Sequence, residues 1–147
     1  MRLIFGSKNE HVEYRVRKGA YAVIFNDLKD KVLAVQTANG NHFLPGGRME
    51  DNERDIECLK REMIEETGYK IEISSFIGNA MCYFYSTKNE PLLSDGYFYQ
   101  AKLLERVQEP VEEDHYVKWV RVEKMEESSF HEHQLWAIKK GLNSRFT

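Results

Sequence analysis

The chain has 147 residues, 41% of them hydrophobic and 31% charged, with a formal net charge of −3. That length suits one domain with one core, taken as residues 1–147, and the balance excludes a disordered chain. The slight acidity excludes a global basic field of the kind that gathers nucleic acid, so an anionic ligand needs local help from a metal or a few basic side chains.

No apolar run approaches the roughly 18 residues of a membrane span. Residues 1–10 lack the long apolar stretch of a signal peptide, and Cys58 and Cys82 form no CxxC pair. A reduced, cytoplasmic protein is the simplest expectation.

In chain order, residues 1–13 read as a lead-in strand or arm. Residues 14–26 end in the run Ala20-Tyr21-Ala22-Val23-Ile24-Phe25, which predicts a buried strand. A polar turn at 27–30 leads to a hairpin partner at 31–37, and Asn39-Gly40-Asn41 marks a second turn. His42-Phe43-Leu44 reads as a short strand ending at a Pro45-Gly46-Gly47 loop. Residues 53–67 contain no Gly or Pro, and Ile56, Leu59 and Met63 follow i, i+3, i+7 spacing, which predicts a helix with one buried stripe. Asp51 or Asn52 is available to cap its start, and Gly68 to end it in the left-handed conformation. Three strands are expected at 70–77, 79–88 and 96–104, with a polar loop at 89–95. An acidic loop at 105–114 leads to a strand at 115–122, a short helical piece near 123–127, and a helix at 131–142 with Leu135, Ile138 and Leu142 on one face. Helices flanking a mixed sheet make an α/β layered fold.

The chemistry concentrates in the helix at 53–67. Glu62, Glu65 and Glu66 are spaced i, i+3, i+4 and share one face. They repel one another and lie toward the end where the helix dipole disfavours negative charge. A hard divalent cation removes that conflict, and carboxylate oxygens suit Mg²⁺ or Mn²⁺. Gly46 and Gly47 permit close approach of backbone to ligand, so the Gly46 carbonyl is a candidate additional metal ligand. Water activated by such a metal is a candidate nucleophile.

The stretch Gly47–Tyr69 resembles the Nudix box, G-x5-E-x7-R-E-U-x-E-E-x-G-U, with U a bulky aliphatic. Gly47, Glu53, Arg61, Glu62, Glu65, Glu66 and Gly68 all fall in register. Met63 and Tyr69 occupy the two U positions; both keep bulk, and neither is a metal or catalytic position. The resemblance implies an α/β/α sandwich with a mixed β-sheet and an enzyme that hydrolyses a pyrophosphate bond in a nucleoside diphosphate linked to another group. It implies Mg²⁺, with Mn²⁺ as the alternative, held by Glu62, Glu66 and Glu65. Arg61 would orient these carboxylates by charge-assisted hydrogen bonds, and Glu53 would support the junction before the helix, paired with Arg61 rather than ligating directly. Family members often add a carboxylate from a loop before a late strand. Glu112, Glu113 and Asp114 are the candidates here, with Glu113 favoured as ligand or base.

Other residues carry weaker signals. Arg48 is balanced between a substrate phosphate contact and a solvated loop arginine. Arg15, Arg17 and Lys18 read as a solvated strand end. Most of Tyr83, Phe84, Tyr85, Tyr97, Phe98 and Tyr99 read as core, with one or two available to stack on a base. His131 and His133 lack a matching Cys/His set in sequence and read as surface residues at a helix start. Cys58 reads as a packing residue. The expected partner is a small nucleotide or nucleotide derivative, with no membrane; the acidity argues against nucleic acid, and oligomeric state is open. A nucleotide-sensing module without catalysis and a hydrolase acting on RNA ends are the alternative functions. The specific substrate and the bond cleaved are not encoded in the motif.

Overall fold

The computed structural model describes residues 3–111, 115–128 and 131–143. Its elements are β1 (Leu3–Phe5), β2 (Arg15–Val23), β3 (Lys31–Gln36), β4 (His42–Phe43), β5 (Gly46–Arg48), α1 (Asp55–Thr67), β6 (Tyr69–Tyr85), β7 (Pro91–Arg106), β8 (Tyr116–Arg121), α2 (Val122–Ser128) and α3 (Glu132–Leu142). One mixed sheet runs β1-β6-β7-β2-β5 and a smaller one β4-β3-β8. β2 lies parallel to β7 and β1 parallel to β6, while β6 and β7 are antiparallel. One apolar cluster joins α1 (Cys58, Leu59, Met63) to Ala20, Ala22, Ile24, Ile71 and Ala101. The other joins α2 and α3 (Met125, Ala137, Ile138) to Val23, Val32, Ala34, Ala80 and Phe98. Helices therefore cover two separate apolar faces, which is the expected α/β/α sandwich. Among the described residues no helix is long and apolar enough to cross a membrane.

Several local expectations are corrected. Residues 31–37 are not a full hairpin partner of β2: the chain just after β2 meets β3 at a bridge between Phe25 and Val32, flanked by hydrogen bonds from the Leu33 amide to the Ile24 carbonyl and from the Asn26 amide to the Lys31 carbonyl, and β3 otherwise pairs with β4 and β8 in the other sheet. The run from Ala20 to Ile24 is buried except for the half-buried Tyr21, as befits an interior strand flanked by β7 and β5. The three strands expected between 70 and 104 are two long ones. Gly78 marks a bulge within β6 rather than a break, with a register shift beside it. The supposed polar loop at 89–95 contributes Pro91 to Asp95 to β7, and only 86–90 form the turn. Ser94 and Asp95 are buried against remote partners: His133 Nε2 lies 3.0 Å from Ser94 Oγ, and Asn79 Nδ2 donates to Asp95 Oδ1 at 2.7 Å.

The first helix begins two residues later than expected. Its cap position is Arg54 rather than Asp51 or Asn52, and the Glu57 carboxylate accepts from the Arg54 amide at 3.2 Å. Ile56 is 38% exposed at that first turn, so the buried stripe runs through Cys58, Leu59, Met63, Glu66 and Thr67. Gly68 ends the helix at φ +82°, its amide donating to the Met63 and Ile64 carbonyls. The buried face of α3 is His133, Gln134, Ala137, Ile138 and Gly141, with Leu135 and Leu142 only partly buried beside it.

Candidate active site

The double glycine is strand rather than loop. Gly46 and Gly47 pair with Tyr21 and Ala20 of β2, and Gly46 takes φ +140°, where a Cβ would collide with the Ala20 carbonyl. This close pairing presses β5 against α1. The Gly46 amide donates to Glu66 Oε1 at 2.9 Å, and a Cβ on Gly47 would lie 2.6 Å from the Glu62 Cδ. The absence of a side chain at position 47 is therefore what leaves room for the Glu62 carboxylate.

Glu62 and Glu66 do not lie on an open acidic face. Their side chains are largely withdrawn from solvent, whereas Glu65 is more than a third exposed. Arg61 holds the group together. Its Nε and Nη2 grip both oxygens of Glu53 at 2.6 and 3.0 Å. Its Nη1 donates to Glu62 Oε1 at 2.9 Å and Glu65 Oε2 at 3.0 Å. Nη2 also donates to the Arg48 carbonyl at 3.1 Å, fastening β5 to the helix. The Arg61 guanidinium holds the Glu53 carboxyl down to about 2. Burial pushes the Cys58 thiol up to about 12, consistent with a packing role.

Glu66 faces a second partner: His115 Nδ1 lies 3.3 Å from its Oε2. Glu112, Glu113 and Asp114 lie outside the described residues. Both of their flanks touch α1, however, because the Val111 amide donates to the Glu65 carbonyl at 2.7 Å and His115 meets Glu66.

Next to this cluster opens a cavity of about 590 Å³. Gly46, Gly47, Glu66 and His115 line one part of it; Tyr21, Phe43, Phe84, His131, Ser94 and Gln134 line another. Arg17 lines the cavity, whereas Arg48 is exposed at the end of β5 and is not among the lining residues. Arg17 and Tyr21 reach the same space because alternate residues of a strand share a face, a signal available in the sequence. Gln134 Oε1 accepts from the Leu44 amide at 2.8 Å, anchoring the segment before the glycines. Of the aromatic residues, Phe98 is core, while Phe84 packs edge-on against His131 at 4.6 Å between ring centroids.

His131 and His133 are not surface residues. His133 is fully buried, and His131 is partly buried at the cap of α3. Burial holds their imidazoles at about 4 and about 3 respectively, so both are neutral at neutral pH.

The NUDIX domain family model matches residues 15–141. The chain belongs to the Nudix family. It is 51% identical over 51 residues to the zebrafish (Danio rerio) 8-oxo-dGDP phosphatase NUDT18, an overlap of 32% of this chain and 15% of that protein. It is 40% identical over 65 residues to the Homo sapiens protein of the same name, covering 40% of this chain and 20% of that one. The matched segments thus span a fifth or less of these relatives' length. Among solved structures, a NUDIX hydrolase from Nitrosomonas europaea superposes with a TM-score of 0.71 at 18% identity, covering 87% of this chain and 89% of that one. At that identity the likeness shows the Nudix fold.

Proposed function

We propose that this Nudix chain is a pyrophosphohydrolase that cleaves the phosphoanhydride of a nucleoside diphosphate, free or bearing a further group, with the free oxidised guanine nucleotide 8-oxo-dGDP as the leading substrate. The observation that carries the reading is the Arg61-organised set of Glu53, Glu62 and Glu65, beside Glu66, which lines a nucleotide-sized cavity. The choice of base rests on the two relatives named 8-oxo-dGDP phosphatase.

The donor set fits a hard divalent cation. The side chains that α1 contributes to it are carboxylates, clustered where an added Cβ at Gly47 would intrude. Glu62, Glu65 and Glu66 would hold Mg²⁺ or Mn²⁺, with the Gly46 carbonyl and Glu113 as the further ligands proposed. When bound, such an ion neutralises phosphate charge and supplies Lewis acidity. The remaining work falls to the chain. Arg61 holds the carboxylates at fixed spacing, and Glu53 keeps the guanidinium in place. The Gly46 amide and His115 orient Glu66. Glu65, the most solvent-accessible of the three helix carboxylates, or Glu113, takes the proton of the attacking water. Arg17 at the cavity wall meets phosphate, a role assigned to it ahead of Arg48, and Phe43, Phe84 and Tyr21 enclose the base. The buried thiols Cys58 and Cys82 support a reducing, cytoplasmic setting.

The test is a hydrolysis screen over oxidised and ordinary nucleoside di- and triphosphates, nucleotide sugars and ADP-ribose. Products are identified by mass, with ¹⁸O-labelled water marking the phosphorus attacked. Mg²⁺-dependent release from 8-oxo-dGDP above the other compounds is expected. Nucleotide binding without turnover on any substrate would instead favour the sensing module.

A further inference from the structure

Cys82 on β6 and His131 and His133 at the start of α3 each offer a ligand atom, and these atoms lie within 4.8 Å of one another. Cys82 comes about 50 residues before the two histidines, and none of the three is one of the clustered carboxylates or their Arg61 partner. We propose that they form a second metal site, selective for a thiophilic cation of the Zn²⁺ class, with an open coordination position facing the cavity.

The donors decide the metal. One sulfur and two imidazole nitrogens suit Zn²⁺ and are a poor match for Mg²⁺. Tetrahedral Zn–S and Zn–N bonds place ligand atoms about 3.4–3.6 Å apart, so the cluster needs to contract by about 1 Å, within reach of small side-chain rotations. Independent of the clustering, His133 Nδ1 is buried with no hydrogen-bond partner among the described residues, although its Nε2 is held by Ser94 at 3.0 Å. A ring steadied through one nitrogen while the other stays unsatisfied is the arrangement of a metal-ligating imidazole. Burial pushes the Cys82 thiol up, and the Glu132 and His133 backbone amides at the start of α3 oppose that shift. Phe43 and Phe84 surround His131 with centroids at 5.5 and 4.6 Å, giving a dry shell. Three protein ligands leave a fourth position, and His131 also lines the cavity, so that position meets solvent or ligand there. Binding releases the Cys82 thiol proton to solvent and changes no oxidation state.

The test uses the full chain, stripped with chelator. Co²⁺ is added as a spectroscopic substitute, and Zn²⁺ affinity is measured by competition with a chromophoric chelator. One equivalent of Co²⁺ is expected to give a thiolate-to-cobalt charge-transfer band that Zn²⁺ abolishes and excess Mg²⁺ does not. Cys82→Ser should remove the band and weaken Zn²⁺ binding at least 100-fold, and His133→Gln should weaken it comparably. Cys58→Ser and Glu62→Gln should leave both intact. Wild-type protein with no charge-transfer band overturns the proposal whatever the variants do, as does Zn²⁺ affinity that Cys82→Ser leaves unchanged or that Glu62→Gln abolishes.

Discussion

Removing Arg61 tests how far the site depends on one guanidinium. The side chain makes four charge-assisted bonds of 2.6–3.0 Å to Glu53, Glu62 and Glu65. Each such bond alone is worth about 1.5–3 kcal/mol. They share one charge, and the group is 25% exposed, so the four do not add. Between a surface pair near zero and a buried pair of about 3–5 kcal/mol, Arg61→Ala should cost about 3 kcal/mol in chelator at pH 7. Much of that is repulsion among the carboxylates left behind, so saturating Mg²⁺ should return a large part of it, about 2.7 kcal/mol at 100 times the dissociation constant. Arg61→Lys keeps the charge but loses the two-pronged grip on Glu53; it should cost about half as much and still lower kcat at least tenfold. Urea denaturation with and without Mg²⁺ measures both terms. An Arg61→Ala protein within about 0.5 kcal/mol of wild type in chelator would refute the reasoning.

Gly47→Ala should separate site from fold. The new Cβ intrudes mainly on the movable end of Glu62, so Tm should shift by only a few degrees while turnover falls at least tenfold; unchanged turnover would show that Glu62 need not sit there. Glu53 gives a pH signature. Its folded value of about 2 lies below the ordinary 4.5, so its stabilisation is complete above about pH 4.5 and is lost as pH falls toward 2. Glu53→Gln should therefore destabilise clearly at pH 7 and much less near pH 2.5 in urea titrations, and an equal cost at both would contradict the ion pair. For the late loop, Glu113→Gln should reduce turnover at saturating Mg²⁺ more than Glu112→Gln or Asp114→Asn; full activity in all three would leave Glu65 as the proton acceptor.

The site was legible wherever the code is local. The spacing of Glu62, Glu65 and Glu66, the terminating Gly68 and the pairing of Arg61 with Glu53 all lie within one helix and its approach. What linear reading missed depends on pairing across the fold. Ser94 and Asp95 look like loop residues until Asn79 and His133 supply their partners, which is why β7 is longer than its composition suggests. Gly78 reads as a break, yet the sheet absorbs it as a bulge. His131 and His133 read as surface because their neighbours Cys82, Phe84 and Ser94 sit about 40–50 residues earlier. The burial of Glu66 is not legible in its helix spacing because it comes from β5, whose Gly46-Gly47 reads as a loop.

The most direct test of the account is turnover against Mg²⁺ concentration, at saturating 8-oxo-dGDP, for wild type and Glu66→Gln. Glutamine keeps the volume of a buried side chain that faces the Gly46 amide and His115, so the fold should survive, as circular dichroism can verify. The account predicts no wild-type turnover in chelator, a saturable rise with Mg²⁺, and at least a 100-fold loss in Glu66→Gln at every Mg²⁺ concentration. Turnover that persists in chelator, or a Glu66→Gln protein that follows the wild-type curve, would contradict it.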